Sequence, residues 1–131
     1  MSRSILYAAN LNNQDFVAAG TIINFGNIIR RYGCNLNLSG GNVTIDGAGY
    51  YDTDINVTFT AAAGTVSIQI YKDGVAVPGA EATLTTAATT NYSLTIPAMI
   101  RENCCCESII TVVISGAVGT VSNATIKVEK E

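Results

Sequence analysis

The run GAGYYDTDINVTF, residues 47–59, limits the fold more than any other stretch of this chain. Tyr51, Thr53, Ile55, Val57 and Phe59 alternate with Tyr50, Asp52, Asp54, Asn56 and Thr58. Successive side chains on a strand point to opposite faces, so this period of two predicts a strand with one buried and one wetted face. After AAAG the pattern resumes in TVSIQIYKDG, with Val66, Ile68 and Ile70 inward and Ser67, Gln69 and Tyr71 outward. Asp73–Gly74 then marks a tight hairpin turn. VAVPGAEATLTT reads as two short strands around a Pro78–Gly79 turn, and NYSLTIPAMI puts Tyr92, Leu94 and Ile96 on one side.

SIITVVIS is apolar on both faces, with Ile110, Val112 and Ile114 on one and Ile109 and Val113 on the other. Such a strand needs two covers, and in a two-sheet sandwich only one is the opposite sheet. The second is expected to be a loop or another subunit. VSNATIKVEKE closes the chain with Ala124, Ile126 and Val128 alternating against Thr125, Lys127 and Glu129. ILYAAN, TIINFGNII and CNLNLSGGNVTI supply further strand candidates between Asn/Gly-rich turns. With no helical periodicity and no internal repeat, residues 1–131 are expected to form one all-β domain, an antiparallel two-sheet sandwich of jelly-roll topology with about 8–10 strands.

Composition removes several function classes. Charged residues are 13% of the chain and the net charge is −3, which leaves no basic face for a phosphate backbone, so nucleic acid is not an expected partner. No apolar run reaches the roughly 18 residues that span a bilayer, so membrane insertion is not expected. The opening MSRSILYAANLNNQD lacks a signal-peptide pattern, which points to synthesis in the cytoplasm and release by assembly or lysis. The sequons at Asn37, Asn42, Asn56, Asn91 and Asn123 are then accidents of an Asn/Thr-rich β protein.

Histidine is absent, which removes the usual general base and nitrogen ligand. There is no acid/base pair and no nucleophile elbow, and Gly40–Gly41 and Gly47-x-Gly49 lie in strand turns rather than opening a helix, so no enzyme activity and no cofactor are expected. Asp52, Asp54 and Asn56 are oxygen ligands spaced two apart, but the sixth and twelfth positions of a calcium loop fall on Val57 and Ala63. On a strand the three form a polar ladder, with a cation as the alternative. Arg30–Arg31 beside Tyr32 are candidate contacts for a phosphate or a glycan, and Tyr32, Tyr50 and Tyr71 are candidate stacking platforms for surface glycans. RENCCCES carries Cys104, Cys105 and Cys106, and the only other cysteine is Cys34. The spacing of a zinc site is missing. Disulfide bonding, packed thiols and a metal shared across subunits remain open.

LSGGNVTIDGAGYYDTDINVTF, IQIYKDGVAVPG and NATIKVEK together resemble the jelly-roll heads of complement proteins, tumour-necrosis-factor-like ligands and, most closely, the C-terminal heads of bacterial and phage collagen-like proteins. The resemblance runs over residues 39–130 in outline, leaving 1–38 as N-terminal strands and loops. It implies a homotrimer with one face of each sandwich packed around a three-fold axis, and it would supply the second cover of SIITVVIS, making Ile109, Ile110, Val112, Val113 and Ile114 the expected subunit interface. Cysteines near such an axis could bridge neighbouring subunits, or Cys34 could pair with one of Cys104–Cys106 within a chain. The sequence departs from these heads in lacking a Gly-x-y stalk and in carrying RENCCCES before the penultimate strand. The expected function is a structural or adhesive trimer on a phage particle, as capsid decoration or fibre tip, with other particle or surface structural proteins as partners. A cysteine-cross-linked spore-coat or surface-fibre subunit and a carbohydrate-binding module are the alternatives.

Overall fold

A computed structural model of the chain describes residues 4–88, 90–102 and 107–130. In chain order the strands are β1 (Ile5–Asn10), β2 (Gln14–Phe16), β3 (Thr21–Ile22), β4 (Asn27–Tyr32), β5 (Leu36–Ser39) and β6 (Asn42–Asp46). They continue with β7 (Gly49–Ala61), β8 (Gly64–Lys72), β9 (Val75–Thr86), β10 (Asn91–Glu102), β11 (Glu107–Ser115) and β12 (Gly119–Lys130). One sheet runs β10-β7-β12-β1-β4 with β2 on β12, and the other runs β5-β6-β11-β8-β9 with β3 on β11. Every pairing is antiparallel. From β6 onward the chain crosses between the sheets at almost every step, which is the jelly-roll path.

The expected alternations are realised. Tyr51, Thr53, Ile55, Val57 and Phe59 are buried, and so are Val66, Ile68 and Ile70 on the facing sheet. β7 is held on both sides, by β10 and β12, so one shift in register would expose five inward side chains at once. At one end of the core the Phe59 ring meets Phe16 edge-on at 6.1 Å and Tyr92 at 6.1 Å. Tyr51 is buried too, its hydroxyl donating to the Gly47 carbonyl at 2.8 Å. Burial, followed by the charges of Glu102 and Asp46, holds its proton affinity above the ordinary value.

Three local features differ from the sequence expectation. There are twelve strands among the described residues, because β2 and β3 are short pieces of loop that pair onto β12 and β11. TIINFGNII is divided at Gly26, whose φ of 71° breaks the strand. Pro78–Gly79 is no turn: β9 is one strand, and residues 77–80 bulge out between Glu81, opposite Gln69, and Ala76, opposite Tyr71. The Gln69 side-chain amide occupies the bulge, donating to the carbonyls of Val77 at 3.0 Å and Ala80 at 3.2 Å. A long polar side chain across the strand thus satisfies carbonyls that the ladder leaves open.

Asp73–Gly74 does form the β8–β9 turn, with Asp73 at φ 51°. The Asp73 amide donates to the Ile109 carbonyl at 2.8 Å, and its carboxylate accepts the Ile109 amide at 2.9 Å, which clips the hairpin onto β11. That amide, and after it the Ser108 hydroxyl, hold the Asp73 carboxyl below its ordinary value of 3.8. A carboxyl lowered by folding adds stability that is fully present above its unfolded pKa and is lost as pH falls through the folded one. Asp73→Asn is therefore expected to lower the urea midpoint at neutral pH and to converge on the wild type in acid below 3.8. A gap between the two proteins that ignores pH would contradict this clip.

Candidate interaction surface

The outer face of the β10-β7-β12-β1-β4 sheet gathers side chains that lie far apart in the sequence. Registers place Met99, Asp52, Glu129, Ile5 and Tyr32 in one cross-strand row and Pro97, Asp54, Lys127, Tyr7 and Arg30 in the next. Further along come Thr95, Asn56, Thr125 and Ala9, then Ser93 and Thr58. The first two rows are aromatic and charged, and the rest is small and polar. Arg101 lies over the Tyr50 ring, 5.8 Å from its centroid, at the β10 margin. Tyr7, Tyr32, Tyr50 and Met99 are all exposed here.

Asp52, Asp54 and Asn56 share this face as the alternation required. Positions two apart on a strand are separated by about 6.6 Å, so the three are drawn along the strand and not around one point. Asp54 faces Lys127 at 4.0 Å, and Asn56 accepts the Ser93 hydroxyl at 2.9 Å. They act as rungs of a cross-strand ladder. Among the described residues no three His, Cys, Asp or Glu side chains are grouped to hold a metal.

Arg30 and Arg31 point to opposite sides of β4. Arg30 stands beside Tyr7 on the outer face, whereas the Arg31 Nε donates to the Leu36 carbonyl at 2.6 Å and ties β4 to β5. The pair does not make one anion site. Tyr71 is half-buried on the other sheet, between Thr111 and Ala76.

The five residues expected at the subunit interface divide in two. Ile110, Val112 and Ile114 face the opposite sheet and are no more than 1% exposed, so they have no surface to offer a neighbour. Ile109 and Val113 point outward. Val113 pairs with Ile22 of β3 and lies close over Gly20, where an added Cβ would sit 3.2 Å from its Cγ1. A loop of the same chain thus supplies much of the second cover, and Ile109, 41% exposed, is left with the least.

Cys104, Cys105 and Cys106 lie outside the described residues. Cys34 is exposed in the β4–β5 turn and lines a polar recess of about 340 Å³ with Arg31, Asn35, Asp46 and Glu107. On the other side of the triplet Glu102 is buried at the end of β10, its carboxylate 3.6 Å from the Lys72 ammonium. Sequence reasoning missed Tyr7, Met99 and Arg101 as members of one surface. Their outward positions in alternating strands were legible, but the order of the five strands was not.

No protein-family model matches the sequence, and no curated protein does. Solved structures do. Murine APRIL superposes with a TM-score of 0.81 at 17% identity, over 99% of this chain and 100% of its own. The globular domain of zebrafish complement 1qA follows at 0.66 and 8% identity, over 96% of this chain and 94% of its own. The fold is the tumour-necrosis-factor and complement-head jelly roll. The vertex protein of phage PRD1 has this jelly roll too, with a TM-score of 0.63 at 12% identity, over 96% of this chain and 94% of its own. At such identities the likeness is one of fold, and it extends the resemblance of residues 39–130 back to the N-terminal strands.

Proposed function

We propose that this chain is a non-enzymatic structural or adhesive module, a homotrimeric jelly roll carried on the surface of a phage particle as capsid decoration or fibre tip. The supporting observation is the match of almost the whole chain to a phage vertex protein, in a fold otherwise met in tumour-necrosis-factor-like and complement heads. The two described side chains with displaced proton affinities, Tyr51 and Asp73, both serve the fold, one in the core and one in the hairpin clip.

The three-fold contact is best supported on the β10-β7-β12-β1-β4 face. Tyr, Met and Arg are the types enriched in interface cores, and this face carries Tyr7, Tyr32, Tyr50, Met99, Arg30 and Arg101. Its middle strands are net acidic, Asp52, Asp54 and Glu129 outnumbering Lys127, and Arg30 and Arg101 stand at the two margins. In a ring, the margin of one subunit meets the middle of the next, so arginine meets carboxylate. Tyr7→Glu, which adds an acid at the centre of this face, is expected to give monomers in sedimentation velocity, while Ile109→Glu on the other sheet leaves the trimer intact. The reverse pattern would move the interface to the β11 side. Immunolabel at particle vertices or fibre tips supports the particle location, and label confined to the soluble fraction contradicts it.

A cysteine cross-link is a second reading, favoured by one observation. Cys34 opens on the same recess as Glu107, the residue that follows Cys106. A bridge from Cys34 to the triplet would close a long loop and add about 2–4 kcal/mol. Peptide mapping without reductant is expected to recover Cys34 linked to a peptide containing Cys104–Cys106, and a free Cys34 thiol in protein from an oxidising medium would exclude it.

A further inference from the structure

A recess of about 590 Å³ lies at the end of the sandwich opposite Cys34. Three loops form it: residues 10–12 after β1, residues 24–27 before β4, and the β5–β6 turn at Gly40. Its lining is Ala9, Asn10, Leu11, Asn12, Asn24, Gly26, Asn27, Ile29 and Gly40, four carboxamides without one charged side chain.

The carboxamides are held in place from behind. Gln14 pairs with the backbone of Asn24 like a piece of strand, its Nε2 donating to the Asn24 carbonyl at 2.6 Å and its Oε1 accepting the Asn24 amide at 2.9 Å. Asn10 Nδ2 donates to the same carbonyl at 3.0 Å, and Asn10 Oδ1 accepts the Asn12 amide at 3.0 Å. Asn24 Oδ1 takes the Gly26 amide at 2.7 Å, which leaves its Nδ2 over Gly40, where even an added Cβ would stand 3.8 Å away. Gly26 permits this closeness, because a Cβ there would lie 2.9 Å from the Ala9 carbonyl oxygen. Among the described residues the side chains of Asn12 and Asn27 meet no hydrogen-bond partner, so both amide ends are open to a ligand. Leu11 and Ile29, 75% and 59% exposed, give the rim apolar surface.

Carboxamides offer a donor and an acceptor side by side, which suits vicinal hydroxyls, and the apolar rim suits the C–H face of a sugar ring. The absence of charge in the lining favours an uncharged ligand. We propose that this recess binds a neutral sugar residue of a surface glycan, with Asn12, Asn24 and Asn27 as its polar contacts. The site deepens the adhesive reading but needs no three-fold contact, and none of the candidate platforms Tyr32, Tyr50 and Tyr71 lines it.

The test is side-chain amide NMR of the ¹⁵N-labelled full chain titrated with D-galactose, D-mannose, N-acetyl-D-glucosamine and N-acetylneuraminic acid. At least one neutral sugar is expected to shift the Asn12, Asn24 and Asn27 amide pairs with millimolar affinity. Asn12→Leu, on the loop after β1, and Asn27→Leu, on the wall of the recess, are each expected to weaken binding about tenfold or more with backbone dispersion retained. The proposal is overturned if no neutral sugar moves these amides, if the acidic sugar moves them as strongly, or if both variants bind like the wild type. Molecular mass measured on the same samples reports the trimer separately, so loss of either leaves the other standing.

Discussion

Phe59→Ala is expected to lower the unfolding free energy by about 3–5 kcal/mol, with no change in the class of fold. Phe59 is fully buried near the end of β7, and its ring is the shared partner of Phe16 on β2 and Tyr92 on β10. Truncation removes the transfer free energy of the ring and both aromatic contacts, and the flanking strands are pinned by register on each side and cannot close the cavity. Urea denaturation of the wild type, Phe59→Ala and Phe59→Leu reads the effect. Phe59→Leu keeps most of the volume and should lose less than half as much. Equal losses for both variants would mean that the cavity is not what the truncation costs.

Gly116→Ala is expected to be at least as damaging, costing about 4 kcal/mol or more. Gly116 has φ 104°, where L-residues are strained, and an added Cβ would overlap the Thr65 carbonyl oxygen. The atom in the way is backbone of β8, so no rotamer change relieves it. Gly74 isolates the two causes: its φ of 82° imposes a similar strain, but an added Cβ meets nothing within 4 Å. Gly74→Ala should cost only about 1–2 kcal/mol. Thermal unfolding of the two variants side by side distinguishes close approach from strain alone, and matching losses would contradict the tight passage of residue 116 across β8.

Sequence reached the fold where one face decided everything. Residues 50–59 alternate because β7 has a packed face and an outer face, and TVSIQIYK alternates for the same reason on the facing sheet. It failed where structure depends on a partner remote in the chain. Pro78–Gly79 looks like a turn until Gln69, across the strand, takes up the carbonyls of the bulge. Likewise β2 and β3 are too short to carry a period and exist through pairing with β12 and β11. The two-sided apolarity of β11 was read well as a need for two covers, but Gly20 and Ile22 of the same chain provide part of the second. Tyr7, Met99 and Arg101 meet only through the order of five strands, and the carboxamide recess only through three loops.

The proposed trimer, argued from the aromatic residues and the net acidic middle of one sheet face, has a direct measurement. Size-exclusion chromatography with multi-angle light scattering, under reducing conditions at micromolar concentration, should give three times the 13.7 kDa of the chain. A single peak at 13.7 kDa would contradict it.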